Sequence, residues 1–350
     1  MNLNEVLTQI QPVDAVAFDN CIANFDQVAK PIGGLGKLEE LLARIAAITG
    51  SPEIDISRKA VVVYCADNGV VRQGVAQSDH EVTAAIGGML GLQKASVCVM
   101  AKTCGAVVFP IDIGMVDSVE RLLDLKMMCG TDDFTEGPAM SLKTAQEAIE
   151  KGIKMVEELK IAGFQLIATG EAGIGNTTTS SAICAALLDC PVQEVTGRGA
   201  GLDDEGLLRK IAAIEKAIAV NRPISDDPLD VLYKVGGLDV AAMTGLFLGG
   251  AMYRVPIVMD GFISCAAALI AVRLCADVRD YIIPSHESGE PGARLLLKEL
   301  DFSPVLHAEM HLGEGTGAVA LFPLLDMALA VYRDAAKFTD IHVDQYKRAP

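Results

Sequence analysis

A glycine-rich stretch, LIATGEAGIGNTTT at residues 166–179, has the residue types and spacing of a phosphate-binding turn. A short β-type run enters the turn, which contains Gly170, Gly173 and Gly175, and three threonines then begin an alanine-rich helical segment. Glycine lets the backbone adopt positive φ and approach a ligand closely. The first N–H groups of the following helix are unpaired and lie at the positive end of its dipole. The stretch therefore predicts a phosphate site, although glycine-rich strand-to-helix turns also occur without a bound phosphate.

Two departures from common nucleotide-binding patterns narrow the choice of ligand. Gly170 and Gly175 have the spacing of the P-loop, but Asn176 stands where that pattern has the lysine that reaches the β- and γ-phosphates. Thr178 stands where a dinucleotide-binding turn has its third glycine. The stretch is therefore suited to one phosphate group. A P-loop kinase or ATPase is an alternative function, which magnesium-dependent hydrolysis of ATP would support.

A carboxylate between glycines, Glu314 in GEGTG at 313–317, is the best candidate for a general base. Flanking glycines leave such a side chain free to point into a cleft, where it can accept a proton from a reacting group. The alternative is structural: Thr316 would be the N-cap of the following helix, and Glu314 would interact favourably with the helix dipole. The residues by themselves leave both interpretations open.

Three further charged side chains are candidates for contacts with an anionic ligand. Glu171 lies inside the glycine-rich stretch, where a carboxylate beside a phosphate is unfavourable, so it is expected to face a cationic or N–H-bearing part of the ligand, or else solvent. Arg198 and Lys210, in a second glycine-rich segment, are the best local cations for a phosphate or carboxylate, or else surface charges. A metal site is not predicted, because the pair His307 and His311 lacks a partner at metal-ligand spacing.

Composition limits the class of protein and its partners. Apolar residues make up 51% of the 350 residues and the mean hydropathy is +0.36, which is sufficient for a large folded core. The net charge of −17 disfavours binding to nucleic acid or to an anionic membrane, since both require a positive surface. Nine cysteines without a CxxC pair, and an N-terminus without a signal peptide, indicate reduced thiols in a cytoplasmic protein. The most apolar region, 238–278, is interrupted by charged residues and proline and does not predict a membrane span.

Alternating strand and helix patterns predict an α/β fold with a mostly parallel sheet covered by helices on both faces. The strands are predicted at 60–65, 106–112, 166–168, 255–259 and 281–284, and the main helices at 38–49, 142–160, 238–252, 263–274 and 318–338. Ligands of such sheets bind at the carboxyl ends of the strands, where Asp67-Asn68-Gly69 and Asp260-Gly261 lie. The helices at the two chain ends have no strands between them. Residues 55–317 are therefore expected to form a large substrate-binding domain, and residues 1–54 and 318–350 a small helical one.

Several blocks, taken together, resemble the nicotinate-nucleotide–dimethylbenzimidazole phosphoribosyltransferases, which activate the lower ligand in cobamide (vitamin B12) synthesis. The blocks are PIGGLGKLEELLARIA (31–46), ADNGV (66–70), the S-x-x-x-VT segment at 78–83, GPAMS (137–141), GEAGIGNTTT (170–179), VTGRGAGLDDEGLLRK (195–210), VGGLDVAAMTG (235–245), EPG (290–292) and GEGTGA (313–318). They span nearly the whole chain in the family's order. The resemblance implies a Rossmann-like large domain, a small helical domain built from both chain ends, and a dimer. It also implies transfer of phosphoribose from nicotinate mononucleotide to a lower-ligand base, giving an α-riboside phosphate and nicotinate.

The resemblance also implies roles for individual residues. Glu314 matches the family's catalytic base, and Ser78 matches a residue of the acceptor pocket. The loop at 173–178, with Glu171 and Lys210, matches the nucleotide and base site. The full set of expected substrate-binding residues is Ser78, Ile86, Glu171, Gly173, Gly175, Asn176, Thr177, Thr178, Arg198, Lys210, Asp260 and Gly315. No cofactor or metal is required, because the pyridinium leaves as a neutral group and one carboxylate can take the proton of the acceptor.

One departure from the family concerns the acceptor. Ile86 stands where the better-known members tend to carry a glutamine that faces the acceptor, so an apolar residue here leaves room for phenol or p-cresol beside the benzimidazoles. Phenol-using enzymes resemble this family but work as pairs of related subunits, so either a homodimer or a heterodimer is expected. The alternative function is a non-catalytic nucleotide-binding partner subunit. Such a chain would bind nicotinate mononucleotide but release no nicotinate when alone, and Glu314→Gln would change nothing.

Overall fold

A sheet of six parallel strands lies at the centre of the computed structural model, which describes residues 2–348. The strands are β1 (Lys59–Ala66), β2 (Val107–Gly114), β3 (Leu123–Asp124), β4 (Leu166–Ala172), β5 (Ile257–Met259) and β6 (Ile282–Pro284). Their order across the sheet is β3-β2-β1-β4-β5-β6, and every neighbouring pair is parallel. The direction of winding reverses between β1 and β4. In open α/β sheets this reversal creates a crevice at the carboxyl ends of the strands.

Helices cover the sheet. They are α1 (Leu3–Gln9), α2 (Ala15–Gln27), α3 (Lys37–Thr49), α4 (His80–Gly91), α5 (Ser96–Thr103), α6 (Leu142–Ile161), α7 (Asn176–Leu188), α8 (Val192–Val195), α9 (Asp204–Asn221), α10 (Pro228–Val235), α11 (Leu238–Tyr253), α12 (Phe262–Leu274), α13 (Pro291–Glu299) and α14 (Thr316–Asp334). Every residue of β1 and β4 is buried, so both faces of these strands are covered. The predicted α/β class with a parallel sheet is confirmed.

Two boundaries differ from the sequence prediction for identifiable reasons. The strand predicted at 255–259 begins only at Ile257, because Val255 N donates a hydrogen bond to Gly250 O and completes the C-terminal turn of α11. The helix predicted at 318–338 ends at Asp334, because the chain that follows pairs with another segment. There, Val28 and Lys337 form an antiparallel bridge. Local propensity does not report such long-range pairing.

Segments from the two ends of the chain lie against each other. Phe338 N donates to Gln27 O at 3.0 Å, and the Tyr332 hydroxyl donates to Pro52 O at 2.9 Å. The α3 helix also reaches the sheet, since Arg44 Nη1 donates to Ile282 O at 3.0 Å. These contacts agree with a small helical domain built from both ends, and the exact division at residues 55 and 317 stays a prediction.

Two helical stretches, His80–Thr103 and Thr316–Asp334, are long and apolar enough to cross a membrane by length and composition alone. The first is divided into α4 and α5 by Gln93, which has a positive φ of 58°. In the second, half of the most apolar window is buried inside the protein. A buried core helix of a soluble protein passes the same test, so this finding is weak evidence for a membrane span.

Candidate active site

A cavity of about 310 Å³ lies at the carboxyl ends of β4, β5 and β6. It is lined by eight of the residues singled out from the sequence: Ser78, Ile86, Glu171, Gly173, Asn176, Thr177, Asp260 and Glu314. A smaller cavity of about 80 Å³ adjoins it and is lined by Ser78, Gly175, Thr177 and Arg198, among others. Thr178, Lys210 and Gly315 line neither cavity. The fold thus brings together residues that lie more than 200 positions apart in the chain.

The glycine-rich stretch forms the predicted turn between β4 and α7. Gly175 is the N-cap of α7 with φ 91°, and no side chain caps this helix. Gly173 is required by packing, because a Cβ at this position would lie 2.2 Å from Ala66 O. The uncapped amides of α7 therefore begin at the cavity, which is the arrangement that binds an anion when a cation lies nearby.

Lys210 supplies that cation. Its side chain is fully buried, and Nζ donates to Thr177 Oγ1 at 2.8 Å and to Gly197 O at 3.0 Å. Burial lowers the pKa of Lys210 to about 8, although the Glu290 carboxylate opposes the shift. No carboxylate lies within ion-pair distance of Nζ in the part of the chain that the structure describes. A buried cation without a counter-charge beside a helix N-terminus is suited to a phosphate.

Arg198 is turned away from the main cavity. Its guanidinium donates to Leu202 O at 2.9 Å and pairs with Asp204, which is exposed. The sequence treated Arg198 and Lys210 as equivalent candidates, and the structure separates them. Both lie near the start of α7, but only Lys210 is buried there and donates to a residue of that helix, whereas Arg198 lines the smaller cavity.

Glu314 lines the cavity and has an unusual backbone conformation. Its φ is 61°, in the left-handed region that non-glycine residues rarely adopt. Oε2 accepts a hydrogen bond from Val97 N at 3.1 Å, at the N-terminus of α5. The backbone N–H of Glu314 donates to Glu171 O at 3.2 Å, which ties this loop to the end of β4. The structural interpretation of this segment, in which Thr316 is the N-cap of the following helix, is wrong in one detail. The N-cap of α14 is Gly315.

Asp260 has a structural partner as well as a place in the cavity. It is buried, and Oδ1 accepts a hydrogen bond from Ala318 N at 3.0 Å at the N-terminus of α14. Burial raises the pKa of Asp260, and the imidazole of His286 opposes the shift. Glu314 therefore occupies the N-terminus of α5, and Asp260 that of α14. The helices α7 and α12 also begin at the cavity, but no side chain caps their N-termini. Because Lys210 lies beside α7, that end is the better phosphate site.

A buried chain of three polar residues forms one side of the cavity. Asn176 Nδ2 donates to Glu171 Oε2 and, at 3.1 Å, to Asp239 Oδ2. Burial raises the pKa of the Glu171 carboxyl well above its usual value, and the carboxylates of Asp239 and Asp260 raise it further. Burial also raises the pKa of Asp239, to about 6. Two buried carboxyl groups thus share one amide group.

Sequence reasoning missed two of these residues, Asp239 and His286. His286 is only 4% exposed and lines the cavity, with Nδ1 lying 3.0 Å from Ser285 Oγ. The Ser285 hydroxyl donates to Met259 O at 2.6 Å, so Nδ1 must carry the hydrogen that Ser285 Oγ accepts. A polar pair directly after a buried strand was the signal for His286. An acid inside the otherwise apolar start of α11 was the signal for Asp239.

Part of the lining of the cavity is apolar. Val82, Ile86, Ile174, Phe262 and Leu312 line the cavity there. An aromatic ring can bind against such a wall through its faces and edges. Among residues 2–348, no group of three or more His, Cys, Asp or Glu side chains is arranged to hold a metal ion.

Known proteins resemble this chain along nearly its whole length. A family model described as phosphoribosyltransferase matches residues 10–343. The chain is 44% identical to the nicotinate-nucleotide–dimethylbenzimidazole phosphoribosyltransferase of Acetivibrio thermocellus, over 96% of this chain and 95% of that protein. It is 41% identical to the enzyme of the same name from Ruminiclostridium cellulolyticum, over 99% of each. The crystal structure of CobT from Thermus thermophilus has a TM-score of 0.89 at 37% identity, covering 95% of this chain and 100% of that chain.

Proposed function

The chain belongs to the nicotinate-nucleotide–dimethylbenzimidazole phosphoribosyltransferase family, and from this premise we propose that it transfers phosphoribose from nicotinate mononucleotide to a lower-ligand base. The products are an α-riboside phosphate and nicotinate, for use in cobamide synthesis. One observation carries the proposal above the others. A single cavity is lined by Asn176 and Thr177 of the uncapped helix α7 and by Glu314, a carboxylate with a positive φ, and the buried Lys210 donates a hydrogen bond to Thr177.

The donor phosphate is assigned to the start of α7. The main-chain N–H and the side chain of Thr177 lie there, and Lys210 adds a buried positive charge. The N–H groups of Asn176 and Thr178 already donate to Gly173 O and Gly175 O. Lys210 is the buried cation in this part of the site, and Arg198 in the smaller cavity is paired with Asp204, which suits a monophosphate. A monophosphate does not need a P-loop lysine at position 176, because that lysine contacts the β- and γ-phosphates of a triphosphate.

Glu314 is assigned as the general base. Because Val97 N–H holds one carboxylate oxygen, the other remains to accept the proton that the acceptor loses as it attacks C1′ of the ribose. The nicotinate ring leaves as a neutral pyridine, so the reaction does not require a general acid. Attack from the face opposite nicotinate inverts the anomeric carbon and gives the α-riboside. Holding both partners in one cavity supplies part of the rate acceleration.

The acceptor ring is assigned to the apolar wall that contains Ile86 and Val82. An isoleucine offers no hydrogen bond to the second nitrogen of a benzimidazole, so phenol and p-cresol are acceptors of comparable fit. Ser78 also lines this cavity and can bond to a ring nitrogen or a phenolic oxygen. We expect the chain to act in the cytoplasm as a dimer, with itself or with a related subunit.

Incubation of the purified chain with nicotinate mononucleotide and a panel of benzimidazoles, purines and phenols tests the proposal. Release of nicotinate together with an α-riboside phosphate is the expected result. Sedimentation of the same sample gives the oligomeric state. Tight binding of the mononucleotide without nicotinate release, for every acceptor tested, would instead support the non-catalytic partner subunit. Hydrolysis of ATP in the presence of magnesium would support the P-loop alternative.

A further inference from the structure

Asp239 is a charged residue that the proposed mechanism does not use. It lies in the first turn of α11 with 0% of its surface exposed, behind the cavity wall. Oδ1 accepts a hydrogen bond from Val240 N at 2.9 Å, and Oδ2 accepts one from Asn176 Nδ2. An ionisable group is rarely buried so completely unless it is paired. Among residues 2–348, however, no Lys, Arg or His lies within ion-pair distance of it.

Asp239 fixes the orientation of the Asn176 amide. The same terminal atom of Asn176 contacts Glu171 Oε2 and Asp239 Oδ2, and two carboxyl groups require a donor between them. That atom must therefore be the nitrogen, which leaves the amide oxygen of Asn176 for the ligand side. The position of Glu171 is set in the same way, since Oε2 is held by this amide. Glu171 Oε1 has no hydrogen-bond partner in the described chain, and Glu171 lines the cavity.

The pair Glu171 and Asp239 cannot be doubly ionised at low cost. Both are buried, they share one amide, and like charges in a low-dielectric site oppose each other's ionisation. The other charged groups that raise the pKa values of the pair are also acidic. Asp67 acts on Asp239, and Asp260 and Glu314 act on Glu171. His286 contacts Asp260, and the Lys210 amine is bound to Thr177 and Gly197. One proton is therefore retained by the pair when the cavity is empty.

Acidic side chains outnumber basic ones in the lining of the cavity, where His286 and His311 are the basic side chains of the described chain. Its lining includes the carboxyl groups of Glu171, Asp260, Glu290 and Glu314, and no Lys or Arg of the described chain lines it. The chemistry that complements such a lining is a cation. In the proposed reaction the donor carries one, on the pyridinium ring that is bonded to the ribose.

We propose that Asp239 is a positioning residue. Through Asn176 it keeps a single proton on the Glu171–Asp239 pair of the empty enzyme, and this proton passes to solvent when the pyridinium ring of the donor binds. The ionised Glu171 then faces positive charge on the ring and, as the bond to nicotinate breaks, on the ribose carbon. The inference rests on the proposed donor. It adds that the acidic lining is a device for binding and stabilising positive charge.

Calorimetric titration in two buffers with different enthalpies of ionisation measures proton release on binding. Nicotinate mononucleotide is compared with ribose 5-phosphate, which has the same phosphate but no cationic ring. In the wild-type protein, near neutral pH, the mononucleotide should release up to about one proton more than ribose 5-phosphate. By linkage, the affinity for the mononucleotide should then rise with pH more steeply than the affinity for ribose 5-phosphate.

Three variants identify the source of the proton. Asp239→Asn removes the largest of the charges that oppose ionisation of Glu171, so the excess release should fall clearly below the wild-type value, although burial of Glu171 still opposes its ionisation. Glu171→Gln should abolish the excess as well. Asp230→Asn is the matched control, because Asp230 is a buried helix-start carboxylate that bonds only to Ile224 N, Lys234 and its own turn. That control should keep the wild-type excess.

Equal proton release by the two ligands in the wild-type protein would overturn the inference, as would an excess that is unchanged in Asp239→Asn. If Asp239→Asn does not fold, the wild-type ligand comparison and Glu171→Gln still decide. Failure of nicotinate mononucleotide to bind the wild-type protein is a different result, since it would refute the proposed function itself. A purely structural role of Asp239 would lower the unfolding midpoint of the variant without changing the number of protons released.

Discussion

Replacing Glu314 with glutamine removes one basic oxygen from the cavity and changes little else. In the structure, Oε2 accepts a hydrogen bond from Val97 N at 3.1 Å, and the amide oxygen of glutamine can accept the same bond. The backbone at this position keeps its φ of 61° in both proteins, so the strain of the loop is the same. The substitution therefore separates the chemistry of Glu314 from its structural role.

The two expected effects differ in size. Loss of a general base lowers kcat by about 10²- to 10⁴-fold, which corresponds to about 2.7–5.4 kcal/mol in the activation barrier. The structural effect is the loss of a negative charge at the N-terminus of α5, which is worth about 0.3–1 kcal/mol of folding stability. The activity of Glu314→Gln should therefore fall by far more than its stability can explain.

Nicotinate release at saturating substrates gives kcat, and urea unfolding of the same samples gives the stability. The matched control is Glu309→Gln, because Glu309 is an exposed acid in the same loop and also has a positive φ. This control should keep the wild-type kcat. A Glu314→Gln protein that is folded and retains a kcat close to wild type would refute the assignment of the general base.

Three further predictions concern the donor, the acceptor and the glycine turn. Lys210→Met should weaken the binding of nicotinate mononucleotide, measured by calorimetry, about 10- to 100-fold, because a charge-assisted hydrogen bond is lost. The control is Lys216→Met, since Lys216 is exposed on the same helix, and this variant should bind the mononucleotide as the wild type does. Burial lowers the pKa of Lys210 to about 8 from its usual 10.5, so between these pH values the unfolded chain keeps a lysine proton that the folded protein loses. The free energy of unfolding of the wild-type protein relative to that of Lys210→Met should therefore rise with pH across this window. The buried thiols, whose pKa values are raised, oppose this rise equally in both proteins and cancel in the comparison. Ile86→Gln should shift the ratio of kcat/KM for dimethylbenzimidazole over p-cresol upward by about tenfold, and an unchanged ratio would show that this side chain does not face the acceptor. Gly173→Ala should lower the stability in urea by about 1–3 kcal/mol, because the added Cβ would lie 2.2 Å from a backbone oxygen of β1, whereas Gly88→Ala has nothing within 4 Å and should be neutral or stabilising.

Local patterns in the sequence were sufficient for the elements that position the site. The strands β1 and β4, the glycine turn before α7 and the helix α6 were predicted, since each depends on residues within a few positions of one another. Glu314 and Lys210 were also identified from the sequence. Both are charged residues in glycine-rich segments, for which the sequence left a structural or surface role open, and their roles in the reaction stay predictions.

Only the tertiary structure decided what each charged side chain contacts. Arg198 and Lys210 are similar in sequence context, yet one pairs with a surface acid and the other is buried beside α7. Asp239 is separated by 63 residues from the amide that it orients, so no local pattern connects the two. The order of the strands, which depends on the burial of apolar side chains throughout the chain, brings these groups together. Hydrogen-bond partners and pKa shifts follow from that proximity and from the exclusion of water, and a linear pattern of residues contains neither.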